Sequence, residues 1–322
     1  MAWRSWQDAW HEALYGRNGF YRRPIGPAGH FATSAQGIPG GGRVLARALV
    51  SLADRSGCDR IVDIGAGRGE LLAEVAALAP GLELTGADIV DRPGGLPDGT
   101  DWLVSPGGER LPDELHGLTH TLVVAHEWLD VVPCPVVEYD DSRWRIVEVS
   151  DNCEERLGAP VEGPDLCWLQ QNWLPGEDTG RAEVGRSRDA AYQDLRGRVS
   201  SGMLVAVDYG HLREARPVGG TLTGYRDGVQ CAPRPDGGTD ITAHVAMDTL
   251  GADELVRQRE LFDRLGLRPP IPPIELASRE PAAYLAQLAT RSSYTLLTAP
   301  GGLGDFWWAI STIGRTGLTF DQ

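Results

Sequence analysis

One stretch decides the fold class of this chain: Arg60-Ile61-Val62-Asp63-Ile64-Gly65-Ala66-Gly67-Arg68-Gly69-Glu70. Its apolar first half predicts a short buried strand, and residues 70–78 predict the helix that follows. Between them, glycines at alternate positions predict a tight turn. Nucleotide-like ligands approach the backbone closely at such a turn, where a Cβ atom would collide with them. Glu70 stands where the dinucleotide-binding pattern GxGxxG requires its third glycine, which argues against a dinucleotide.

Strands and helices alternate along the chain beyond this turn. Continuous apolar runs are typical of strands that are buried on both faces, as in parallel sheets. Helices between such strands are typical of doubly wound folds. The sequence therefore predicts an α/β protein with a Rossmann-like, doubly wound and mostly parallel sheet. The predicted strands are 60–64, 82–89, 101–104, 121–125 and 203–208, and the predicted helices are 3–15, 43–55, 70–78 and 187–199.

Two segments depart from this alternation. Residues 1–42 combine an amphipathic helix at 3–15, with tryptophans at helical spacing, and a loop rich in glycine, proline and aromatic residues. The segment at about 135–180 contains a β-hairpin around residues 140–142, followed by an irregular stretch. We predict a main domain at 43–322 whose ligand site is covered by the N-terminal arm and by the insertion.

The composition excludes several classes of function. The 322 residues include 30 basic residues, all of them arginine, which excludes a lysine catalyst, a Schiff base and a Walker-type phosphate loop. A formal charge of −15 argues against non-specific binding of nucleic acid and favours a cationic partner. No apolar stretch approaches the roughly 18 residues that a membrane-spanning helix needs. The N-terminus also lacks the apolar core of a secretory signal. We therefore expect a cytoplasmic protein that has no membrane partner.

Cysteines and histidines give no metal or disulfide pattern. An odd number of scattered cysteines without a CxxC pair fits neither a disulfide framework nor a zinc site. We expect the cysteines to be reduced and buried. Three histidines (His30, His120 and His244) have no ligand-like spacing, and we expect no metal. The cysteines are Cys58, Cys134, Cys153, Cys167 and Cys231.

Two acids near the glycine turn favour S-adenosylmethionine (SAM) as the ligand. Asp63 stands two residues before the first glycine, where a carboxylate suits the ammonium and methionine end of SAM. Asp88 lies 23 residues after Gly65, at the end of the second predicted strand, where it can accept hydrogen bonds from both ribose hydroxyls. We predict SAM rather than NAD. The predicted cofactor-binding residues are Asp63, Gly65, Gly67, Gly69 and Asp88.

Candidate catalytic residues follow the fourth and fifth predicted strands, whose carboxyl ends border the ligand site in doubly wound folds. Glu127 and Asp130 can hold a guanidinium by paired hydrogen bonds and leave one nitrogen lone pair directed at a methyl donor. His126 or His211 can instead act as a base toward a hydroxyl or an amine. Asp208, at the end of the fifth strand, is a further candidate. The residues alone leave both kinds of acceptor open.

Several short motifs stand in a fixed order along nearly the whole chain. They are Gly19–Tyr21, Gly29–Ser34, Gly65–Gly69, His126–Pro133, Val207–His211, Gly220–Arg226 and Asp240–Val245. In the same order they resemble the motifs GYY, GDFxTSP, GPGRG, NEFFDALP, IDYGH, GTLxxYR and DLTAHV of one family, the MidA-like class I methyltransferases. An ordered set of this kind is far more specific than a single glycine turn.

The resemblance implies a class I methyltransferase fold, SAM as the cofactor and methylation of an arginine in a protein partner. Mitochondrial members of the family are complex I assembly factors with this activity. His30, Ala35 and His126 depart from the Asp, Pro and Asn of the family, and His126 lies beside the expected cofactor and acceptor. Two alternatives remain: a small-molecule O- or N-methyltransferase with a histidine base, and a non-catalytic assembly factor that binds SAM or a partner without turnover.

Overall fold

The computed structural model describes residues 2–23, 38–173 and 180–314. The motif at 29–34, with His30, and the neighbouring Ala35 lie outside these residues. The helices are α1 (Trp6–Tyr15), α2 (Gly41–Ser56), α3 (Glu70–Leu78), α4 (Gly163–Asn172), α5 (Arg186–Arg198), α6 (Gln258–Arg264), α7 (Ile274–Arg279) and α8 (Pro281–Leu297). The strands are β1 (Trp3–Ser5), β2 (Arg60–Ile64), β3 (Glu83–Asp88), β4 (Asp101–Val104), β5 (Thr121–His126), β6 (Val136–Asp140), β7 (Arg143–Ser150), β8 (Glu155–Pro160), β9 (Arg181–Glu183), β10 (Gly202–Asp208), β11 (Gly210–His211), β12 (Thr223–Arg226), β13 (Val229–Cys231), β14 (Asp240–Thr242), β15 (Val245–Ala246), β16 (Glu254–Arg257) and β17 (Trp307–Ile313).

The central sheet has the strand order β16-β17-β10-β5-β2-β3-β4. Strands β2, β3, β4, β5 and β10 run parallel, and β17 is antiparallel to both of its neighbours. The strand order reverses between β2 and β5, where Ile64 lies opposite Ala125. Ligands of doubly wound folds bind at the carboxyl ends of the strands beside such a switch point. The predicted α/β fold is confirmed. At this point the glycine turn follows β2, and Glu127 and Asp130 follow β5.

Helices cover both faces of the central sheet. Successive side chains of a strand point to opposite faces, so an apolar strand needs a helical layer on each side to bury all of them. Ile61 and Leu122 pack with α2, α3, α6 and α8 on one face. Val62 and Val123 pack with α5 on the other. All four side chains are at most 1% exposed. Burial of each stabilises the fold by about 1.5–3 kcal/mol relative to exposure. Burial on both faces is the reason that these strands have continuous apolar sequences.

The N-terminal helix is shorter than the sequence predicts. It begins after Ser5, whose hydroxyl oxygen accepts a hydrogen bond from the backbone N–H of Asp8 at 3.1 Å. Trp3 precedes this cap and pairs in β1 with Ser150 of β7. Such pairing joins residues far apart in sequence, so helical spacing does not reveal it. The apolar face of α1 is buried nonetheless, and Trp10 is 0% exposed.

The insertion contributes β6, β7 and β8 to a second, antiparallel sheet. Its order is β1-β7-β6-β9, with β8 also paired to β7, so β1 of the N-terminal arm and β9 complete it. The predicted hairpin is confirmed as β6 and β7. The prediction of an irregular stretch after the hairpin is wrong, because β8 and α4 follow it. Trp168 and Leu169 of α4 pack in one apolar cluster with Val137 and Ala182. These contacts order a segment whose local sequence has no clear periodicity.

The prediction of buried cysteines is only partly right. All five are free, as predicted, but only Cys58 and Cys134 are buried. Cys153 and Cys231 are partly exposed, and Cys167 is exposed on α4. Composition predicts the average burial of a residue type, whereas the side of each element that faces the core decides the individual case. Over the described ranges, no helix combines the length and the apolar character needed to cross a membrane.

Candidate functional site

The glycine turn lies at the carboxyl end of β2 and depends on left-handed backbone conformations. The φ angles of Gly65, Gly67 and Gly69 are 70°, 59° and 77°, which glycine adopts more readily than any other residue. The N–H of Gly67 donates a hydrogen bond to Oδ2 of Asp88 at 2.8 Å. A Cβ atom on Gly69 would overlap Cδ2 of Leu96. The turn is therefore a backbone cradle joined to the end of β3.

Two acids beside the turn have raised pKa values. Burial, together with the charges of Asp88 and Glu70, raises the pKa of Asp63 to about 8. Burial also raises the pKa of Asp88 to about 6, although hydrogen bonds from backbone N–H groups, including those of Gly67 and Val90, oppose this shift. Both shifts show that negative charge is unfavourable here without a counter-charge. The pair therefore suits a ligand that carries positive charge.

The segment after β5 brings the second predicted site against this turn. Glu127 has a φ of 52°, an uncommon conformation for a residue with a side chain. Such backbone strain persists only where surrounding contacts enforce it, and it is frequent at functional sites. The indole of Trp128 packs on the glycine turn. A Cβ atom placed on Gly65 would lie only 3.4 Å from Cδ1 of this indole. The two predicted sites are therefore adjacent.

Asp208 holds the turn that follows β5. Its Oδ2 accepts hydrogen bonds from the backbone N–H groups of Leu129 and Asp130, each at 3.1 Å. Its Oδ1 accepts one from the N–H of Tyr209 at 3.0 Å, and the residue is 0% exposed. Both carboxylate oxygens are thus engaged with backbone. This geometry makes Asp208 an anchor for Asp130, while a direct role of Asp208 in catalysis stays a prediction.

Asp130 is buried and has one engaged and one unengaged oxygen. The hydroxyl of Tyr209 lies 2.6 Å from Oδ2 of Asp130 and 2.7 Å from Oγ1 of Thr242. A phenol has one proton, so Tyr209 donates it to the carboxylate and can accept a hydrogen bond from Thr242. Oδ1 of Asp130 is buried and has no hydrogen-bond partner among the described residues. Burial and the charge of Glu127 raise the pKa of Asp130 to about 7.

The structure adds Asp240 of β14 to these acids. This residue is 1% exposed, and its Oδ1 accepts a hydrogen bond from the hydroxyl of Tyr21 at 2.9 Å. Burial and the charge of Asp130 raise the pKa of Asp240 well above its usual value. The motif at 240–245 marks this residue, but its role depends on contacts with distant segments. We call Glu127, Asp130, Asp208 and Asp240 the acid cluster.

The two histidines proposed as bases are weak proton acceptors. Burial lowers the pKa of His126 to about 4, and its Nδ1 lies 3.7 Å from Oε1 of Glu127. Burial and the charge of Arg216 lower the pKa of His211 to about 3. Nη1 of Arg216 lies 2.9 Å from Nδ1 of His211. A guanidinium only donates, so this Nδ1 accepts the hydrogen bond and the proton lies on Nε2. The lone pair of His211 is therefore already engaged.

The arrangement suits cationic ligands at two adjoining places. The acids beside the glycine turn and the acid cluster are both buried carboxyl groups with raised pKa values, and Trp128 of the segment after β5 contacts the glycine turn. An isolated buried carboxylate is unfavourable, so a cation bound beside it is strongly preferred over a neutral group. Among residues 2–23, 38–173 and 180–314, no three His, Cys, Asp or Glu side chains are grouped as metal ligands are.

Comparison with known families gives one match over residues 99–263, which is just over half of the chain. The description of that family is "Putative S-adenosyl-L-methionine-dependent methyltransferase". The matched range contains the whole acid cluster and begins after the glycine turn. No curated protein matches this chain significantly.

Two solved structures from Burkholderia thailandensis are similar over nearly the whole chain. One is a COG1565 superfamily member bound to S-adenosyl-homocysteine (SAH), with 22% sequence identity and a TM-score of 0.75. The match covers 98% of this chain and 89% of that protein. The other, a COG1565 superfamily protein in its native form, has 22% identity and a TM-score of 0.73, and the match covers 98% and 88% of the two chains. Likeness at this identity shows a shared fold.

Proposed function

Because this chain belongs to the family of S-adenosyl-L-methionine-dependent methyltransferases, we propose that it methylates a guanidinium nitrogen of an arginine in a protein partner. Membership confirms the family that the sequence motifs resemble, and with it SAM as the cofactor. The identity of the acceptor is our proposal. The observation that carries it is the buried Oδ1 of Asp130, which lacks a hydrogen-bond donor in the described structure.

The residues at the carboxyl end of β2 fit SAM. When bound, SAM supplies a methyl group on a positively charged sulfonium. We assign the ammonium and methionine end to Asp63 and the ribose hydroxyls to Asp88. The turn at 65–69 lets the backbone approach the ligand closely, since its conformation excludes ordinary side chains. The raised pKa of Asp63 supports its part of this assignment, because an ammonium beside it restores the charged form.

We expect SAM binding to release about one proton at pH 7. The pKa of Asp63 is about 8, so this carboxyl group is mostly protonated at pH 7 before a ligand binds. A bound ammonium favours the carboxylate, lowers the pKa and expels the proton. Calorimetric titrations with SAM in two buffers of different ionisation enthalpy measure the release. Asp63→Asn should abolish it, and an unchanged proton count in that variant would contradict the assignment.

The acid cluster supports a guanidinium as the methyl acceptor. A buried oxygen without a donor is unfavourable, and a planar guanidinium provides several N–H donors in a fork that matches carboxylates. Asp130 and Glu127 supply two carboxylates beside the cofactor turn. The net charge of −15 favours a basic partner in addition. A neutral hydroxyl acceptor carries no positive charge, so it would not stabilise the ionised form of these buried acids.

The chemistry assigned to these residues is orientation and proton transfer. Transfer forms an N–CH3 bond, breaks the S–CH3 bond and requires one proton to leave the nitrogen. Glu127 and Asp130 orient the guanidinium, and Asp130 can take the proton because its pKa of about 7 lies near working pH. Tyr209 and Asp208 hold Asp130 by its Oδ2 and its backbone N–H, respectively. The remaining Oδ1 is the oxygen directed to the acceptor in this proposal.

Two variants distinguish an arginine acceptor from a histidine-based reaction. We expect Glu127→Gln to slow methyl transfer by about tenfold to 100-fold, because one charged hydrogen bond to the acceptor is lost. We expect His126→Asn to change the rate less than threefold, since an imidazole with a pKa of about 4 is a poor base. The measurement is transfer of labelled methyl from SAM into proteins of a cell extract, followed by hydrolysis and separation of methylated arginine.

Affinity for SAH is the control in both variants and should stay within threefold of the unmodified protein. The reverse pattern, with a large loss in His126→Asn and a small one in Glu127→Gln, would favour a small-molecule enzyme with a histidine base. Label in methylated amino acids other than arginine would overturn the choice of acceptor, even if Glu127 proved essential.

We further propose that the arm at 1–42 and the insertion at about 135–180 cover this site. Two contacts of the arm support its part in this. The hydroxyl of Tyr15 donates a hydrogen bond to the carbonyl of Val131 at 3.0 Å, and that of Tyr21 donates to Asp240. The arm therefore touches the segment after β5 and one member of the acid cluster.

A further inference from the structure

Arg188 is a buried cation in a position that is unfavourable for its own helix. It is the third residue of α5 and is 1% exposed. The amino end of a helix carries partial positive charge, so an arginine there is repelled. Burial of a guanidinium is unfavourable as well, unless its donors and its charge are compensated. The stability of α5 therefore does not explain this residue.

The guanidinium of Arg188 connects two backbone segments. Its Nη2 donates to the carbonyl of Asp130 at 2.8 Å, and its Nε donates to that of Val132 at 3.1 Å. Its Nη1 donates to the carbonyls of Ala243 and His244, at 3.1 and 2.8 Å. The planar fork thus binds the segment after β5 and the segment after β14 at the same time.

These two segments carry or adjoin two members of the acid cluster. Asp130 lies in the first, and Asp240 begins β14, which leads directly into the second. The carbonyl of Asp130 also accepts the N–H of Ala243 at 3.1 Å, so the segments touch directly. Cζ of Arg188 lies over the ring of Trp10, 5.4 Å from its centre, which adds a favourable cation–π contact from α1.

The charge of Arg188 acts on the same acids. Its positive charge lowers the pKa of Asp130 and of Asp208, against the effect of burial. All four of its hydrogen bonds within the described structure go to backbone carbonyl groups, and none goes to a carboxylate. The titratable groups that act electrostatically on or with Asp130 are Glu127, Asp208, Tyr209, Asp240, Tyr15, Tyr21, Tyr225 and Arg188.

We propose that Arg188 is a positioning residue of the acceptor pocket: it fastens together the backbone segments of Asp130 and Asp240, and its charge offsets the repulsion among their carboxylates. The inference rests on the proposed function, since it assumes that the acid cluster receives the acceptor. Two properties of one side chain are involved, the hydrogen-bonding fork and the charge, and different substitutions separate them.

Infrared difference titration of Asp130 tests the charge without knowledge of the acceptor. Subtracting spectra of Asp130→Asn isolates the carboxyl stretch of this residue between pH 5 and 9. We expect Arg188→Gln, a neutral residue that still donates to carbonyls, to raise the titration midpoint by about one pH unit. Arg188→Lys keeps the charge and should leave the midpoint within about half a unit. Arg186→Met, which removes a half-exposed arginine two residues earlier in α5, is the matched control and should not shift it.

The fork is tested with methylguanidine as a probe on protein saturated with SAH. We expect Arg188→Lys to bind the probe at least tenfold more weakly, because an ammonium cannot reproduce the planar fork. SAH affinity within threefold of the unmodified protein establishes that each variant is folded. An unshifted midpoint in Arg188→Gln, or equal shifts in Arg188→Gln and Arg188→Lys, would overturn the proposed role of the charge. Full probe affinity in Arg188→Lys would overturn the role of the fork.

The two proposals fail in different ways. If the unmodified protein with SAH does not bind methylguanidine, the proposed acceptor is wrong, whereas the infrared midpoints still decide whether Arg188 controls the charge of Asp130. If the probe binds and the midpoints do not respond to Arg188→Gln, the acceptor assignment stands and the positioning role of the Arg188 charge is wrong.

Discussion

Gly67→Val should weaken SAM binding at least 100-fold, which corresponds to about 2.7 kcal/mol of binding free energy. Gly67 has a φ of 59°, a conformation that a β-branched residue adopts only with strain. Its N–H also donates to Asp88, the acid assigned to the ribose. A valine would therefore disturb both the cradle and the carboxylate beside it. Titration calorimetry with SAM and with SAH measures the loss.

Gly57→Val is the matched control for this substitution. Gly57 ends α2 with a φ of 65°, close to that of Gly67, and a Cβ atom there would meet nothing within 4 Å. Both variants therefore introduce similar backbone strain, and thermal unfolding should show a similar loss of stability. Only Gly67→Val should lose affinity for SAM. Equal SAM affinity in the two variants would show that the glycine turn is not part of the cofactor site.

Asp130→Asn should slow methyl transfer to arginine at least 100-fold while SAH affinity stays within threefold. The amide oxygen of asparagine can still accept the hydrogen bond from Tyr209, so the segment should keep its structure. The charge and the second carboxylate oxygen are lost, and an amide cannot take the proton of the acceptor. The expected loss exceeds that of Glu127→Gln, because Asp130 is 3% exposed and water cannot replace its contact.

Asp54→Asn is the charge-matched control, since it neutralises an exposed acid of α2. The measurement is the initial rate of labelled methyl incorporation into arginine, with pH varied from 6 to 9. In the unmodified protein the rate should rise with pH through about 7, because Asp130 then loses its proton and can take the proton of the guanidinium. Asp130→Asn should lose this rise along with the rate. If the rate of Asp130→Asn still rose with pH through about 7, the rise would have to come from the titration of another group.

The fold was predictable because its signals are local. A strand buried on both faces requires an uninterrupted apolar run, and a turn of left-handed residues requires glycines, so β2 and the turn at 65–69 can be identified from neighbouring residues alone. Asp63 and Asp88, the acids that we propose to bind the cofactor, can be located in the same way, since their places relative to the strands are set by short distances along the chain. The start of α1 and the elements after the hairpin were missed, because pairing with β7 and packing in the second sheet decide them.

The acid cluster was predictable from the sequence only in part. Glu127 and Asp130 are recognisable from the sequence because they directly follow a predicted strand. Tertiary contacts decided the rest: Asp208 as an anchor, Asp240 as a neighbour and Arg188 as the cation between two segments. Burial and the approach of charges set these roles, and both depend on which distant segments meet in space. The sequence by itself therefore determined the sheet and the glycine turn, whereas the tertiary structure decided which side chains share one electrostatic environment.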